Sequence, residues 1–242
     1  MRVIEPSYEI INPISHYAID KQIIPGIDIY SIDPNLNASD EFRRIERCGR
    51  ICYKSGTTDD IQVTRRFIKN IIEKNHESVL EHSSLSVDFI CSRAISHELV
   101  RHRLASFSQE SQRYCNYSNG KFNSEITFIR PLWVGGNPDV RTFAEGKPID
   151  IATDATIYWY ELCKEAENKY FDLLDFGLLP QEAREVLPNS TKTEIAVTTN
   201  YREWRHILEL RTASDAHPEM QRIMKPLLDE LKQRIPVVFD DI

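Results

Sequence analysis

The hydrophobic positions of the chain recur at two spacings, and these predict both helices and strands. Apolar residues at helical spacing predict helices over residues 40–54, 92–104, 151–176, 180–186, 200–212 and 218–234, and one more after residues 57–60. Shorter apolar runs predict extended segments over residues 84–91, 106–114, 126–134 and 193–199. Helices and strands do not alternate regularly, so we predict an α+β fold with a mixed core of helices and antiparallel sheet.

Two segments lack a clear periodicity. Residues 1–38 are rich in Ile, Pro, Asn and Asp and predict short strands and turns, while residues 135–150 are rich in Gly, Pro, Asn and Asp and predict a mobile loop. No break in composition separates two domains, so we predict a single domain over residues 1–242. Motifs of the GxGxxG and GxxxxGK[ST] types are absent from the sequence, which removes support for Rossmann and P-loop nucleotide sites.

The composition is that of an ordinary globular protein. The 242 residues are 41% hydrophobic and can bury a core without disulfides. No apolar stretch approaches the ~20 residues of a membrane span, and the first residues lack the apolar centre of a leader peptide. The five cysteines form neither a CxxC pair nor a metal spacing, so we expect free thiols and a cytoplasmic location without membrane contact.

The charge balance changes this picture in one respect. The net charge of −7 argues against a dedicated nucleic-acid binder, yet the 30 basic residues comprise 19 Arg and only 11 Lys. The planar guanidinium suits phosphate and carboxylate groups, so an acidic chain rich in Arg is compatible with a local anion site.

Residues 98–114 concentrate that chemistry. Arg101, His102 and Arg103 are consecutive, Arg113 follows, and three serines lie between Arg103 and Arg113. If residues 106–113 are extended, Gln109, Ser111 and Arg113 point to one side and form a row of donors toward a phosphate group. Other interpretations remain open: a solvated helix end, a nucleophilic Ser111 without the strained G-x-S-x-G context, or an Arg-rich module that binds single-stranded nucleic acid.

The spacing of residues along the predicted helices also bears on Arg211 and on two histidines. Arg211 falls on the apolar side of its predicted helix with Trp204 and Leu208, where a charge is costly unless it is paired, so a ligand or interface role is favoured. His76 and His82 lie six positions apart and do not share a helix face, so we predict no metal site.

The spacing of these residues resembles that of the flavin-dependent thymidylate synthases. Arg101–His102–Arg103, seven residues and Ser111 match the RHR-x7-S motif of that family, a long and uncommon pattern. Three more segments resemble family motifs in the family's order: His76–Glu77–Ser78 with Glu81–His82, residues 183–188 (AREVLP), and Asn200-x-Arg202 followed by Arg211.

The resemblance implies an enzyme that methylates deoxyuridine monophosphate (dUMP) to thymidylate. In the family, FAD reduced by NADPH supplies the hydride, 5,10-methylenetetrahydrofolate supplies the carbon, and no enzyme nucleophile attacks the uracil. The implied assembly is a homotetramer with active sites shared between subunits, and no nucleic acid is bound. Besides this enzyme and the nucleic-acid-binding module, a third hypothesis is a thymidylate synthase that uses a cysteine nucleophile.

Site residues are carried over position by position. The resemblance implies FAD contacts by Ser78, Arg101, His102, Arg103, Gln109, Asn200, Arg202 and His206. It implies dUMP contacts by Glu98, Arg101, Gln109, Glu110, Ser111, Arg113, Arg184 and Arg211, and a pocket role for His76. Arg211 is the implied catalytic residue. Glu98, Ser108, Gln109 and His206 depart from the residues that many members carry, so the hydrogen bonds at those positions stay open.

Overall fold

The computed structural model describes residues 1–11, 35–134 and 149–242. Most of the loop predicted over residues 135–150, and most of the strands and turns predicted over residues 1–38, lie outside these ranges. Within them, the strands are β1 (Arg2–Ile4), β2 (Ser7–Ile11), β3 (Ser84–Ser92), β4 (Ser106–Gln109), β5 (Thr127–Ile129) and β6 (Lys192–Asn200). The α-helices are α1 (Asn35–Tyr53), α2 (Ile61–Glu73), α3 (Arg93–Leu99), α4 (Ile149–Asp175), α5 (Pro180–Ala183), α6 (Tyr201–Thr212) and α7 (Pro218–Arg234). Short 3₁₀-helices cover Glu77–His82, Gly120–Phe122 and Arg184–Val186.

The apolar periodicity therefore predicted most helices and strands correctly, but one predicted helix and two predicted strands are too long. The helix predicted over 92–104 ends at Leu99, the strand predicted over 106–114 ends at Gln109, and the strand predicted over 126–134 ends at Ile129. Tertiary contacts explain the first difference. The Thr199 hydroxyl donates a hydrogen bond to the carbonyl of Leu104 at 2.6 Å, which holds the chain next to β6 in a non-helical turn.

The sheets are small and mostly antiparallel. β1 and β5 form a parallel pair in which Arg2 lies opposite Thr127. The second sheet has the strand order β2-β3-β6-β4. Ser86 contacts Thr198 through hydroxyls 2.7 Å apart, and the Arg93 amide donates to the Thr191 carbonyl at 3.0 Å. Since residue numbers rise along β3 as they fall along β6, these strands are antiparallel.

Alternation of side chains explains why these two strands are central. In β3 every second residue is buried, namely Leu85, Val87, Phe89 and Cys91. In β6 the buried positions are Thr193, Ile195, Val197 and Thr199. A period of two places one face of each strand against the core, as the sequence pattern predicted.

The described chain divides into two compact units, each assembled from three stretches of sequence. Unit 1 comprises Met1–Tyr8, Phe89–Arg101 and Phe107–Ala196, and unit 2 comprises Glu9–Asp88, His102–Ser106 and Val197–Ile242. Neither unit is one continuous segment, as a separate domain usually is. The single domain over residues 1–242 stays a prediction.

Each unit has its own apolar core. In unit 1, β5 and α4 contribute to a cluster of buried side chains: Tyr117, Ile126, Phe128, Val134, Trp159, Cys163, Tyr170 and Ala183. In unit 2, α6 packs against α7 and against the 3₁₀-helix Glu77–His82, and α1 packs against α2. Trp204 on α6 is fully buried, and its indole N–H donates to the Leu85 carbonyl at 3.0 Å.

Across residues 1–11, 35–134 and 149–242, none of the helices combines the length and the apolarity that a bilayer span requires.

Trp204 provides a test of the unit 2 core. Trp204→Ala removes a fully buried indole and its hydrogen bond, so we expect the free energy of unfolding to fall by about 3–5 kcal/mol. Trp133→Ala is the matched control, because Trp133 is 46% exposed and its loss leaves no buried cavity. Urea denaturation of both variants measures the difference. Equal losses for the two tryptophans would contradict the assigned packing.

Candidate active site

The first candidate site lies in unit 2, where β6 passes into α6. Asn200 ends the strand, and its side-chain oxygen accepts a hydrogen bond from the Glu203 amide at 2.9 Å, which caps the helix. The helix then carries Glu203 and His206 one turn apart, with Arg211 in its last turn. A capped start thus fixes the positions from which these three polar side chains extend.

His102 lies against this helix and is only 6% exposed. The Nε of Arg211 donates a hydrogen bond to His102 Nε2 at 3.0 Å. On the other side of the imidazole, His102 Nδ1 is 3.8 Å from Glu203 Oε1. The His206 ring meets the His102 ring edge-on, with centroids 6.2 Å apart. The central histidine of the RHR motif is therefore enclosed by residues about 100 positions later in the chain.

Burial controls the charge of this imidazole. Desolvation, followed by the nearby Arg211 guanidinium and His206, lowers the pKa of His102 from 6.5 to about 4. His102 is consequently neutral at pH 7. A neutral imidazole carries one N–H donor and one acceptor nitrogen. Because Nε2 accepts from Arg211, the ring proton belongs on Nδ1, which faces Glu203.

His102, Glu203 and His206 also bring ligand-type atoms within 4.8 Å of one another. Among the described residues, this is the group whose spacing would suit a metal ion. The Arg211 guanidinium, however, places a permanent positive charge next to the imidazole, which opposes a cation. We therefore interpret the group as a hydrogen-bonded cluster, and the absence of a metal site stays a prediction.

A cavity of about 750 Å³ adjoins the cluster in unit 2. Its lining includes Asn200, Arg202 and His206, three of the predicted flavin contacts. Arg202 donates to Glu81 at 2.6 Å, and this hydrogen bond is the largest cause of the raised Arg202 pKa.

Acidic partners balance the positive charge around this cavity. Arg205 contacts Glu77 at 3.1 Å and Asp241 at 2.6 Å. Burial works against the charge of Arg205, but the hydrogen bonds and negative charges of these partners raise its pKa overall. Asp241 has a lowered pKa because Arg205 donates to it. This side of the cavity has therefore little surplus positive charge for a diphosphate.

Four other predicted residues lie at the surface. Ser78 is exposed within the 3₁₀-helix Glu77–His82, and His76 is exposed immediately before it. Arg101 and Arg103 are exposed in the turn that follows α3. The structure thus buries the histidine of the RHR motif and leaves both arginines accessible.

The second candidate site lies in unit 1 and is centred on Gln181. The Nε of Arg113 donates to the Gln181 side-chain oxygen at 3.0 Å, and the Nε of Arg184 donates to the Gln181 carbonyl at 3.2 Å. Two arginines predicted to bind the nucleotide, 71 positions apart, therefore meet at one glutamine. An adjoining cavity of about 230 Å³ is lined by Arg184, Arg93 and Gln112 among others. The guanidinium groups of Arg93 and Arg184, which both line this cavity, are suited to an anion.

The predicted row of donors from Gln109 to Arg113 is wrong. β4 ends at Gln109, and the Ser111 carbonyl accepts from the amides of Tyr114 and Cys115, so the chain turns instead of continuing as a strand. The Gln109 amide does not point along that row. It donates to the hydroxyl of Ser96 at 2.9 Å and to that of Thr193 at 3.1 Å.

The carboxylate of Glu110, a residue predicted to contact dUMP, is bound by two side chains of the protein itself. Its carboxylate contacts Lys192 at 2.9 Å and accepts the Tyr117 hydroxyl at 2.7 Å. Burial, followed by the Glu110 charge, raises the pKa of Tyr117. Burial lowers the pKa of Lys192, but the hydrogen bonds and charges of Glu110 and Glu194 outweigh it and raise the pKa overall. Glu110 therefore anchors the turn that carries Ser111. Glu98 is half-buried on α3.

Sequence analysis missed Glu203, Gln181, Lys192 and Tyr117. Most of their contacts are distant along the chain: Glu203 lies 101 positions from His102, Lys192 lies 82 from Glu110 and Gln181 lies 68 from Arg113. Tyr117 is seven positions from Glu110, and Gln181 is three from its second partner, Arg184. Only Glu203 had a visible signal: it follows the Asn cap by three positions, where an acidic residue often begins a helix.

Comparison with known proteins gives consistent matches. The family model described as thymidylate synthase complementing protein (Thy1) matches residues 36–237. A flavin-dependent thymidylate synthase of Corynebacterium aurimucosum is 32% identical over 223 residues, which cover 89% of this chain and 84% of that protein. One of Mycobacterium avium is 36% identical over 205 residues, covering 81% of this chain and 78% of that protein.

A solved structure shares the fold. It is the crystal structure of a UMP/dUMP methylase, PolB, from Streptomyces cacaoi bound with 5-Br UMP. The TM-score is 0.70 at 20% identity, and the alignment covers 99% of this chain and 95% of that chain.

The buried His102 predicts a pH dependence of stability. The unfolded chain binds a proton at His102 below pH 6.5, whereas the folded chain binds it only below about 4. Stability is therefore complete above pH 6.5 and declines toward pH 4, by about 2 kcal/mol between pH 7 and 5. His102→Gln does not titrate, so its unfolding free energy should decline less over this window. Urea denaturation at both pH values tests this, and equal declines would contradict it.

Proposed function

Because the chain belongs to the flavin-dependent thymidylate synthase family, we propose that it methylates dUMP to thymidylate with FAD, NADPH and 5,10-methylenetetrahydrofolate. The family predicted from the motifs is confirmed by the matching family model and by relatives of 32–36% identity, and the protein is an enzyme of the methyltransferase type. The dUMP substrate is also supported by the fold shared with a UMP/dUMP methylase.

The observation that carries the proposal is the hydrogen bond from Arg211 to His102. It joins the RHR motif to the last arginine of the N-x-R…R block, two pieces of the family pattern that are 109 positions apart. A chain that had merely acquired similar short motifs would have no reason to bring them into contact. Their meeting in a partly buried cluster supports a common site.

We assign the catalytic role to Arg211. Its guanidinium is half-buried, so its charge is less screened than at the surface. Beside a uracil ring, a fixed positive charge stabilises the negative charge that develops on the ring atoms, including the ionised N3. Arg211 therefore favours the electron-rich form of the base, which attacks the one-carbon unit.

Arg113 and Arg184 are assigned to the dUMP phosphate. Gln181 holds both guanidinium groups through their Nε atoms, which leaves the Nη sides to fork toward a phosphate. Ser111 is assigned to orient the nucleotide, and its hydroxyl accepts the Arg113 amide at 3.3 Å. Glu110 contributes indirectly, because its contacts with Lys192 and Tyr117 hold the turn in place.

The unit 2 cavity is assigned to part of the flavin. Its volume of about 750 Å³ falls within the usual range for a small-molecule site. The donors of Asn200, Arg202 and His206 fit the polar parts of FAD, which when bound and reduced supplies the hydride. The acidic residues around Arg202 and Arg205 fit the diphosphate less well.

That mismatch supports a site completed by a second subunit, as in a homotetramer. Arg101 and Arg103 are exposed and extend their charge away from the core, where a neighbouring subunit's ligand would receive it. The long helix α4 also exposes large apolar side chains, with Tyr158 73% and Leu162 58% exposed. An exposed apolar surface of this kind is typical of subunit contacts.

The thiols fit a reaction without an enzyme nucleophile. All five cysteines lie among the described residues as thiols outside any disulfide, which also suits a reducing cytoplasm. Cys91 and Cys163 are buried, and burial raises the pKa of Cys163, so its thiolate is scarce. Cys48 and Cys52 lie on α1, away from every predicted site motif in sequence.

The reaction itself is the first test. Purified protein supplied with FAD should release tritium from 5-tritiated dUMP, because methylation replaces the hydrogen at carbon 5. Release should require both NADPH and methylenetetrahydrofolate, so omission of either is the control. A variant without its five cysteines should keep its turnover. A protein that cannot be reconstituted with FAD, or that releases no tritium, would refute the proposal.

The nucleotide site gives a second test. Arg113→Ala and Arg184→Ala each remove a charged hydrogen-bond donor, so each should raise KM for dUMP about 10- to 100-fold. Ser111→Ala should weaken the reaction less, since its hydroxyl orients and does not attack. Arg43→Ala, an exposed arginine on α1, is the control. Steady-state kinetics measure KM, and an unchanged KM in both arginine variants would exclude this phosphate assignment.

A further inference from the structure

The guanidinium of Arg211 contacts a buried side chain that stays neutral at pH 7. Its Nε donates to His102 Nε2, and the neutral imidazole can accept there only if its proton is on Nδ1. The acceptor strength of Nε2 and the orientation of the ring consequently depend on what faces Nδ1–H.

Glu203 Oε1 faces that nitrogen at 3.8 Å. The distance is too long for a hydrogen bond, so the interaction is electrostatic. In a buried setting a carboxylate still favours the tautomer that presents N–H toward it, and it increases the electron density on the opposite nitrogen. Glu203 therefore acts on Arg211 through the imidazole, at a position that no family motif in the sequence had marked.

The placement of Glu203 is itself fixed by the fold. Glu203 is buried, and its amide donates to Asn200 in the cap of α6. It lies in the first turn of the helix, where the aligned peptide dipoles stabilise a negative charge. The same cap that starts α6 thus holds the carboxylate at one end of a series Glu203–His102–Arg211, and all three residues belong to unit 2.

We propose that Glu203 and His102 are positioning residues that fix the tautomer and orientation of the imidazole, and thereby hold the Arg211 guanidinium in its catalytic geometry. This inference rests on the proposed function, which places Arg211 beside the uracil. Displacement of a catalytic group by about 1 Å costs on the order of 100-fold in rate. The effect should appear in kcat, since dUMP is bound mainly by other residues.

Substitutions at His102 separate the acceptor from the rest of the ring. His102→Leu removes the acceptor, and kcat should fall about 100-fold. His102→Gln places an amide oxygen near the former Nε2 and should recover about tenfold of that loss. KM for dUMP should stay within about twofold of wild type, because the dUMP phosphate is assigned to Arg113 and Arg184. Loss of flavin in proportion to kcat would instead make His102 a flavin ligand and overturn the positioning role.

Substitutions at Glu203 test the other end. Glu203→Gln removes the charge and should lower kcat about tenfold, whereas Glu73→Gln, an exposed residue at the end of α2, should not. Arg211→Lys keeps a positive charge but lacks the Nε–H group. In the Arg211→Lys background, Glu203→Gln should cause no additional loss of kcat, because the hydrogen bond from Nε to His102 through which Glu203 acts is absent. Losses that multiply independently would overturn the proposal.

A spectroscopic measurement decides the tautomer without turnover. Nitrogen-15 spectra of histidine-labelled protein resolve the imidazole nitrogens of its seven histidines, and the signal missing in His102→Gln identifies His102. At pH 7 we expect a neutral ring with its proton on Nδ1. A charged ring, or a proton on Nε2, would overturn the proposal. If the wild type forms no thymidylate, the proposed function fails, and this spectrum still decides whether the imidazole accepts from Arg211.

Discussion

The antiparallel pairing of β3 with β6 is the constraint that fixes residues near each of the two candidate sites. In unit 1, the Arg93 amide binds the Thr191 carbonyl and the Arg93 side chain donates to Thr193 at 3.0 Å, while Gln109 reaches the same hydroxyl. In unit 2, β6 ends at Asn200, which caps α6 and so sets the start of the helix that carries Glu203, His206 and Arg211. These contacts fix Arg93 and Gln109 in unit 1, and the cap at Asn200 fixes the start of the helix that carries Arg211 in unit 2.

Burial of an uncharged imidazole beside a charged guanidinium is the second constraint. A carboxylate in the place of His102 would set a negative charge against the guanidinium of Arg211. Neutral His102 accepts the same hydrogen bond without cancelling the charge. Burial and the neighbouring Arg211 lower the pKa of His102. Protonation would leave Nε2 without a lone pair and bring two positive charges together. Pairing Arg211 Nε with a group that stays neutral adds no negative charge at that nitrogen.

Much of the fold was accessible from periodicity, because α1, α2, α4, α6 and α7 and the two long strands have strong apolar patterns. The RHR-x7-S spacing predicted the family, which the comparisons confirm. The helix predicted over residues 92–104 was too long, because a hydrogen bond from Thr199 and the burial of His102 hold residues 100–105 in a turn. Helix propensity does not include such tertiary contacts. Glu203, Gln181 and Lys192 were missed because their partners His102, Arg113 and Glu110 lie 68 to 101 positions away along the chain.

The anchoring of Glu110 has a practical consequence for the design of inhibitors. An acidic side chain next to Ser111 invites a cationic substituent in a ligand. Both of its oxygens are already occupied by Lys192 and Tyr117, so such a substituent would have to compete with a partly buried ion pair. An anionic head group directed at Arg113 and Arg184 has partners oriented by Gln181. At the proposed nucleotide site, these contacts therefore favour anionic ligands over cationic ones.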